Sequence, residues 1–329
     1  MRPMLHILGT AIAAASLACT VSVAHAQTKL KLGHVGAVGS HFDKASQQFA
    51  EMVKSKSGGK VIVELFPASQ VGNDKDMLQK MKLGQIDFFI PSSIMSSVTD
   101  EFGVWDMPYI IADRAHAKRV LDALGPKIFA PAAKAKGVQV LGFWENGVRH
   151  ITNNVRPIVK PTDLKGVKLR TPRGEWRLKM FKAYGANPTP MSFSEVFTAL
   201  KTGVMDGQEN PLINVWSAKF YEVQKYLSMT GHVYIPAYLV TSPNTFKKWP
   251  ADVQKVVAEA AKEMEDVARA NGQEFDDSLL AKIKAKGVAV NEADKDAFIA
   301  ASKAIYEQFG AKVKGGSDLI KQILDLRKG

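Results

Sequence analysis

The stretch 61-VIVELFPASQVGNDKDMLQKMKLGQIDFFI-90 sets three kinds of segment in a row. Val61 to Phe66 is a β-branched, apolar run closed by Pro67, the composition of a strand with a breaker behind it. Asp74 to Leu83 carries Met77, Leu78 and Met81 at helical spacing and stops at Gly84. Ile86 to Ile90 is a short apolar run of the kind that forms a buried strand. Strand, helix and strand in uninterrupted succession are the unit of an α/β fold with a parallel or mixed sheet.

Working outward, the same alternation continues. Lys29 to Gly33 alternates and predicts a first strand, followed by a helix from about His41 to Ser57 that ends at Gly58 and Gly59. Downstream, strands are predicted at Val138 to Trp144, Val167 to Arg170 and 204–208, with helices at Trp176 to Tyr184 and Phe193 to Lys201. The segments 78-LQKMKLGQID-87 and 197-FTALKTGVMD-206 share one pattern: amphipathic helix, Gly, apolar pair, Asp. Two such half-units suggest two related lobes. From Pro250 the periodicity stays helical for a long stretch, long enough to brace both lobes. A short strand at Val288 to Val290 and helices at Glu292 to Phe309 and Ser317 to Leu326 complete the chain. The expected division is 27–147 plus 236–275 for lobe I and 148–235 plus 276–329 for lobe II.

The first 26 residues read as a cleavable signal peptide. Arg2 supplies a basic start, residues 7–23 are apolar and small, and 24-AHA-26 is a small-x-small cleavage pattern, so cleavage is expected after Ala26. Ser16 stands where a lipoprotein signal wants Leu before Cys19. Cys19 is the one cysteine, so the exported chain would carry no disulfide and would depend on core burial.

The net charge of +12 is compatible with nucleic acid, an anionic membrane or acidic small solutes. The lysines are scattered among Asp and Glu, as in 247-KKWPADVQKVVAEAAKEMEDVARA-270, and no run of five basic residues occurs. That is a solvated mixed-charge surface rather than a nucleic-acid track. His34, His41, His116, His150 and His232 show no zinc-site spacing, and no nucleotide-binding or hydrolase motif occurs, so neither metal nor cofactor is expected. Asp206 and Glu209 read as acids that hold the hinge or pair locally, because no nucleophile or base pair stands beside them.

In α/β lobes ligands sit beyond the carboxyl ends of strands. The polar residues there are Ser92 and Ser93 after the third strand, Arg149 in a turn-like stretch after Trp144, Arg170 at a strand end, and Asn210. Arg170 lies in an apolar strand, where an unpaired charge is costly. Either an internal acid or a ligand carboxylate, gripped by the guanidinium fork, would satisfy it.

The segments 144-WENGVRHITNNVRPIVKPTDLKGVKLRTP-172, 184-YGANPTPMSFSEVFTALKTGVMDGQENPL-212 and 219-KFYEVQKYLSMTGH-232 resemble the solute-binding subunits of tripartite ATP-independent periplasmic (TRAP) transporters, most of all the C4-dicarboxylate-binding branch. The resemblance runs from about Leu30 to the C-terminus. It implies a two-lobed α/β periplasmic binding protein with a hinge and a long helix bracing both lobes. It also implies a monomer that is not an enzyme and that hands a small carboxylate to one small and one large integral membrane subunit. It assigns Arg170 to the ligand carboxylate, Arg149 to a second ligand-facing guanidinium and Asn210 to the same carboxylate. Phe193 would pack over the ligand, and Asn73 and Ser92 would contact its far end, with His34 a weaker candidate. An exported enzyme acting on small acids, and a binding subunit of another importer or a sensor kinase, are the competing classes. A C4-dicarboxylate such as malate, succinate or fumarate is the expected ligand, with Arg173 and His34 as sources of extra positive charge. The alternative is a hydroxy or oxo monocarboxylate, aromatic if Phe89, Trp144 and Phe193 face the cleft.

Overall fold

The computed structural model describes residues 27–328. The expected leader, with Cys19, lies outside the described residues. Lobe I opens with β1 (Thr28–Gly33), α1 (His41–Lys56), β2 (Val61–Phe66), α2 (Asp74–Lys82) and β3 (Phe88–Phe89), followed by α3 (Arg114–Leu124) and α4 (Ala130–Ala135). Strand β4 (Gln139–Asn153) leads into lobe II, built from β5 (Lys168–Thr171), α5 (Glu175–Ala183), β6 (Asn187–Pro190), α6 (Val196–Lys201), β7 (Gly207–Asn210) and α7 (Leu212–Ser217). Strand β8 (Tyr226–Thr241) returns to lobe I, where α8 (Pro243–Phe246) precedes α9 (Ala251–Ala285). The chain finishes with β9 (Ala289–Glu292), α10 (Lys295–Ala301), α11 (Lys303–Lys312) and α12 (Gly316–Asp325).

The nine strands among the described residues form one mixed sheet in the order β2-β1-β3-β8-β4-β7-β5-β6, with β9 on β8. Strand β1 is parallel to β2 and β3, and β5 is parallel to β6 and β7. The two halves are joined by β4 and β8, which pair antiparallel from Gln139↔Thr241 to Asn153↔Tyr226. One end of β8 meets β3 at Phe89↔Val240, and the other meets β9 at Tyr226↔Ala289. The pair is interrupted by register shifts at Val140/Gly142, Glu145/Gly147 and Arg149/Ile151. Such bulges bend strands and re-aim side chains.

Three corrections to the predicted elements matter for the site. The strand expected to end at Trp144 runs on to Asn153, so Arg149 is a strand residue and not part of a turn. The strand expected at 204–208 is Gly207–Asn210, which makes Asn210 its last residue. The helix expected from Glu292 to Phe309 is two helices, α10 and α11, parted at Ser302.

Helix α9 has 35 residues, a rod of about 50 Å. Its first half buries Val253, Val257, Ala261 and Met264 in the core beneath β1 and β2, and its second half buries Leu279 and Ile283 in a cluster with α6, α7 and β8. Between the halves it crosses β4 at Gly272. A Cβ there would stand 2.1 Å from Glu145 Oε1, so any larger residue would have to displace the Glu145 side chain. Glu145 in turn accepts from Arg114 Nε at 2.8 Å and Tyr234 at 3.1 Å, and Arg114 Nη2 reaches Asp276 of α9 at 2.5 Å. Helix α12 lies against α3: His116 Nε2 is 2.8 Å from the Ile323 carbonyl oxygen. The end of the chain is thus packed against α3. No helix among the described residues is long and apolar enough to cross a membrane.

Candidate functional site

A cleft with about 620 Å3 of empty volume lies where β5 and β7 of lobe II end opposite the start of α2 and the segment after β3. Arg170 projects into it from the carboxyl end of β5, which the parallel arrangement of β5, β6 and β7 turns toward the other lobe.

The surroundings of Arg170 define the chemistry. Its side chain is 3% exposed, and its Nε and Nη2 both donate to the Met191 carbonyl oxygen, at 3.0 and 2.6 Å. Among the described residues it forms no ion pair with a carboxylate. Burial, together with the neighbouring Arg149, lowers its pKa to about 10. A buried cation held by one neutral carbonyl calls for an anion from outside.

Arg149 is the contrast. It also lines the cleft, but its Nε and Nη2 reach the Glu209 carboxylate at 2.5 and 3.0 Å. Arg177 of α5 donates to Glu209 at 2.7 Å and to Asp106 at 2.6 Å. His232 lies 3.1 Å from the same Glu209 oxygen. A carboxylate only accepts, so His232 Nε2 carries the proton and Nδ1 accepts from Thr230 at 2.8 Å. Burial raises the Glu209 pKa, but Arg149 and Arg177 outweigh it and hold the carboxyl well below its usual range. Two guanidiniums thus face two buried carboxylates, and Arg170 is left over. The internal pairing considered for Arg170 is found on Arg149, and Glu209 is the locally paired acid that the sequence suggested.

Neutral groups line the rest of the inner wall. Asn214 Nδ2 donates to Asn146 Oδ1 and Asn210 Oδ1, both at 3.2 Å. Asn146 Nδ2 donates to Ser92 Oγ at 3.0 Å, and Ser92 donates to the Pro236 carbonyl at 2.8 Å. Asn210 Nδ2 gives one hydrogen to Gln208 Oε1 at 2.5 Å, which leaves its second for a ligand.

Of the residues singled out from sequence, Arg170, Arg149, Asn210, Phe193, Asn73, Ser92, Ser93 and Arg173 all line this one cleft. Three others do not. His34 is fully buried against Ser46 at 3.4 Å, and burial lowers its pKa to about 4 despite Asp43, so it is neutral and adds no positive charge. Trp144 is buried with its indole N–H on the Ala261 carbonyl at 3.0 Å, and Phe89 is wholly inside the apolar core. Both follow the pleat of their strands onto a packed face of the sheet. Sequence reasoning passed over Asp74, Lys75, Asn146, Met191 and Asn214. Asn214 lies one helical turn beyond Asn210, and Asp74 directly follows Asn73, which were the available signals. Among the described residues no His, Cys, Asp and Glu side chains gather as a metal cluster.

The chain is similar to known proteins over most of its length. The model of "Bacterial extracellular solute-binding protein, family 7" matches residues 32–312. The 2,3-diketo-L-gulonate-binding periplasmic protein YiaO of Escherichia coli K12 is 34% identical over 282 residues, covering 85% of this chain and 86% of that one. The sugar acid binding protein DctPAm of Advenella mimigardefordensis, solved with galactonate, superposes with a TM-score of 0.88 at 34% identity, covering 92% and 98% of the two chains. A TRAP periplasmic solute-binding protein of Sulfurospirillum deleyianum, solved with succinate, gives a TM-score of 0.87 at 34% identity, covering 92% and 99%. With its two-lobed α/β fold and its polar interlobe cleft, the chain belongs to the family 7 extracellular solute-binding proteins, the ligand-capturing subunits of TRAP transporters.

Proposed function

We propose that this protein captures a small hydroxylated carboxylic acid of the sugar-acid kind and delivers it, unaltered, to the small and large membrane subunits of a TRAP transporter. The observation that carries the reading is Arg170, a buried guanidinium without a carboxylate partner among the described residues, facing the cleft. In this reading Arg170 grips the carboxylate through its free edge, and the second Asn210 hydrogen completes the grip. Arg149, already paired with Glu209, offers only its remaining Nη1. Ser92, Ser93, Asn73 and Asn146 then meet hydroxyl groups along the rest of the ligand, and Phe193 covers it. The galactonate-bound and diketogulonate-binding relatives support such a ligand.

Binding without turnover is part of the proposal. Glu209, the acid nearest the arginines, is fully buried and engaged by Arg149, Arg177 and His232, so it is not placed to move protons to or from a ligand. The lobes, divided as 27–147 plus 236–275 and 148–235 plus 276–329, would close as a hinge about β4, β8 and α9. The mature monomer would begin at Gln27 in the periplasm.

A C4-dicarboxylate is the second reading. Arg173 and Lys75 also line the cleft and could meet a second carboxylate, and one similar structure holds succinate. The aromatic alternative loses Phe89 and Trp144 to the core and keeps Phe193, with Phe42 also lining the cleft. Thermal unfolding against a library of small acids tests the proposal. An acid at about 100 times its Kd adds about 2.7 kcal/mol of stability. Stabilisation by neutral sugars or amino acids, with none by organic acids, overturns it.

A further inference from the structure

The one acidic side chain among the residues lining the cleft is Asp74, the first residue of α2. It stands across from Arg170 and Arg173, with Lys75 beside it and Arg149 deeper in the cleft. Among the described residues its carboxylate accepts no hydrogen bond from another residue and forms no ion pair. Enclosure between the two walls pushes its pKa up to about 6, and Arg170 and Arg173 oppose that rise without cancelling it.

Several other side-chain acceptors on this wall already take a hydrogen bond, and none of them carries a charge. Asn73 Oδ1 caps α2, accepting from Lys75 N at 2.9 Å and Asp76 N at 3.2 Å. The Oδ1 atoms of Asn146 and Asn210 both accept from Asn214, and Ser92 Oγ accepts from Asn146. The rest of the polar lining offers mainly donors. A carboxylate ligand is satisfied by donors alone. A hydroxyl also carries a hydrogen, which needs an acceptor.

We propose that Asp74 determines which acid is bound: it accepts a hydrogen from a hydroxyl of the ligand and repels a second carboxylate. Selectivity of this kind has an attractive and a repulsive part, and one carboxylate supplies both. A site built to bond a hydroxyl also discriminates against an analogue that lacks it. The proposal rests on the reading of the cleft as a small-acid site, and it departs from the dicarboxylate alternative on the identity of one residue.

Calorimetric titration of the wild-type protein, Asp74→Asn and Asp74→Ser with galactonate and with succinate tests it. Asn keeps the side chain's shape and removes its charge; Ser shortens it and serves as a second probe. The expected result is a galactonate-to-succinate affinity ratio that falls at least about tenfold in both variants, a change of about 1.4 kcal/mol. A ratio within about threefold of wild type in either folded variant overturns the role of Asp74. Wild-type protein that binds a range of organic acids with this ratio unmoved by substitution leaves the small-acid reading standing and removes only this inference. Wild-type protein that binds no acid overturns both.

Discussion

Replacing Arg170 separates a ligand clamp from a structural ion pair. In the folded protein its guanidinium contributes two hydrogen bonds to one carbonyl, that of Met191, and meets no carboxylate among the described residues. Arg170→Ala therefore removes a buried charge that burial and Arg149 already disfavour. The loss of two charged hydrogen bonds is offset by the end of that desolvation, so stability should change little. Binding should change greatly. Truncating one partner of a buried charged pair costs about 2–5 kcal/mol, which at about 1.4 kcal/mol per tenfold is roughly 30-fold to several thousand-fold in Kd. Arg170→Lys should lose at least about tenfold, because an ammonium cannot reproduce the planar fork. Calorimetry gives the affinities and urea unfolding the stability. A variant that keeps its affinity within about threefold while losing several kcal/mol of stability would refute the reasoning.

Arg149→Ala should behave the opposite way: it leaves Glu209 buried with only Arg177 and His232, and breaking a buried pair costs about 3–5 kcal/mol, which urea unfolding would register. Gly272→Ala should destabilise by about 1–3 kcal/mol despite the better helix propensity of Ala, because the new Cβ drives into Glu145 Oε1; a more stable variant would contradict the packing of α9 on β4. Acid should also weaken the fold before carboxylates titrate. Burial lowers the pKa of His34 and His41 to about 4 and of His150 to about 3, so the unfolded chain binds protons that the folded one refuses. Stability is then complete above about pH 6.5 and falls as pH drops toward 4, by up to about 1.4 kcal/mol per pH unit for each histidine; equal or greater stability at pH 5 than at pH 7 would refute this.

Much of the fold was legible because local signals agreed. The run Val61–Phe66, the helix from Asp74 and the terminator Gly84 each carry their own pattern, and β1, α1 and α9 do likewise. Strand β8 was not read at all. Its sequence YLSMTGHVYIPAYLVT contains Gly231 and Pro236, both poor strand residues, and nearly all of it is buried, so it does not alternate. Pro236 is accommodated opposite Glu145, at the bulge before Gly147. The same bulge hid the continuation of β4, and with it the setting of Arg149, since Gly147 with φ of 123° reads locally as a turn. Within the site, Arg170 and Asn210 were readable from their places at strand ends. His34 and Phe89 lie near strand ends too, yet the pleat turns them inward, and Asp74, though next to Asn73, is easily passed over because a first-turn Asp is ordinary helix chemistry. What burial and pairing decide, a linear pattern does not show.

The central claim is that a carboxylate on Arg170 holds the ligand in the cleft. The most direct measurement is calorimetric titration of the purified protein with galactonate and with galactitol, which differ at the carboxylate. The account expects saturable one-to-one binding of the acid and at least about a hundredfold weaker binding of the alcohol. Equal affinity for the two would contradict it.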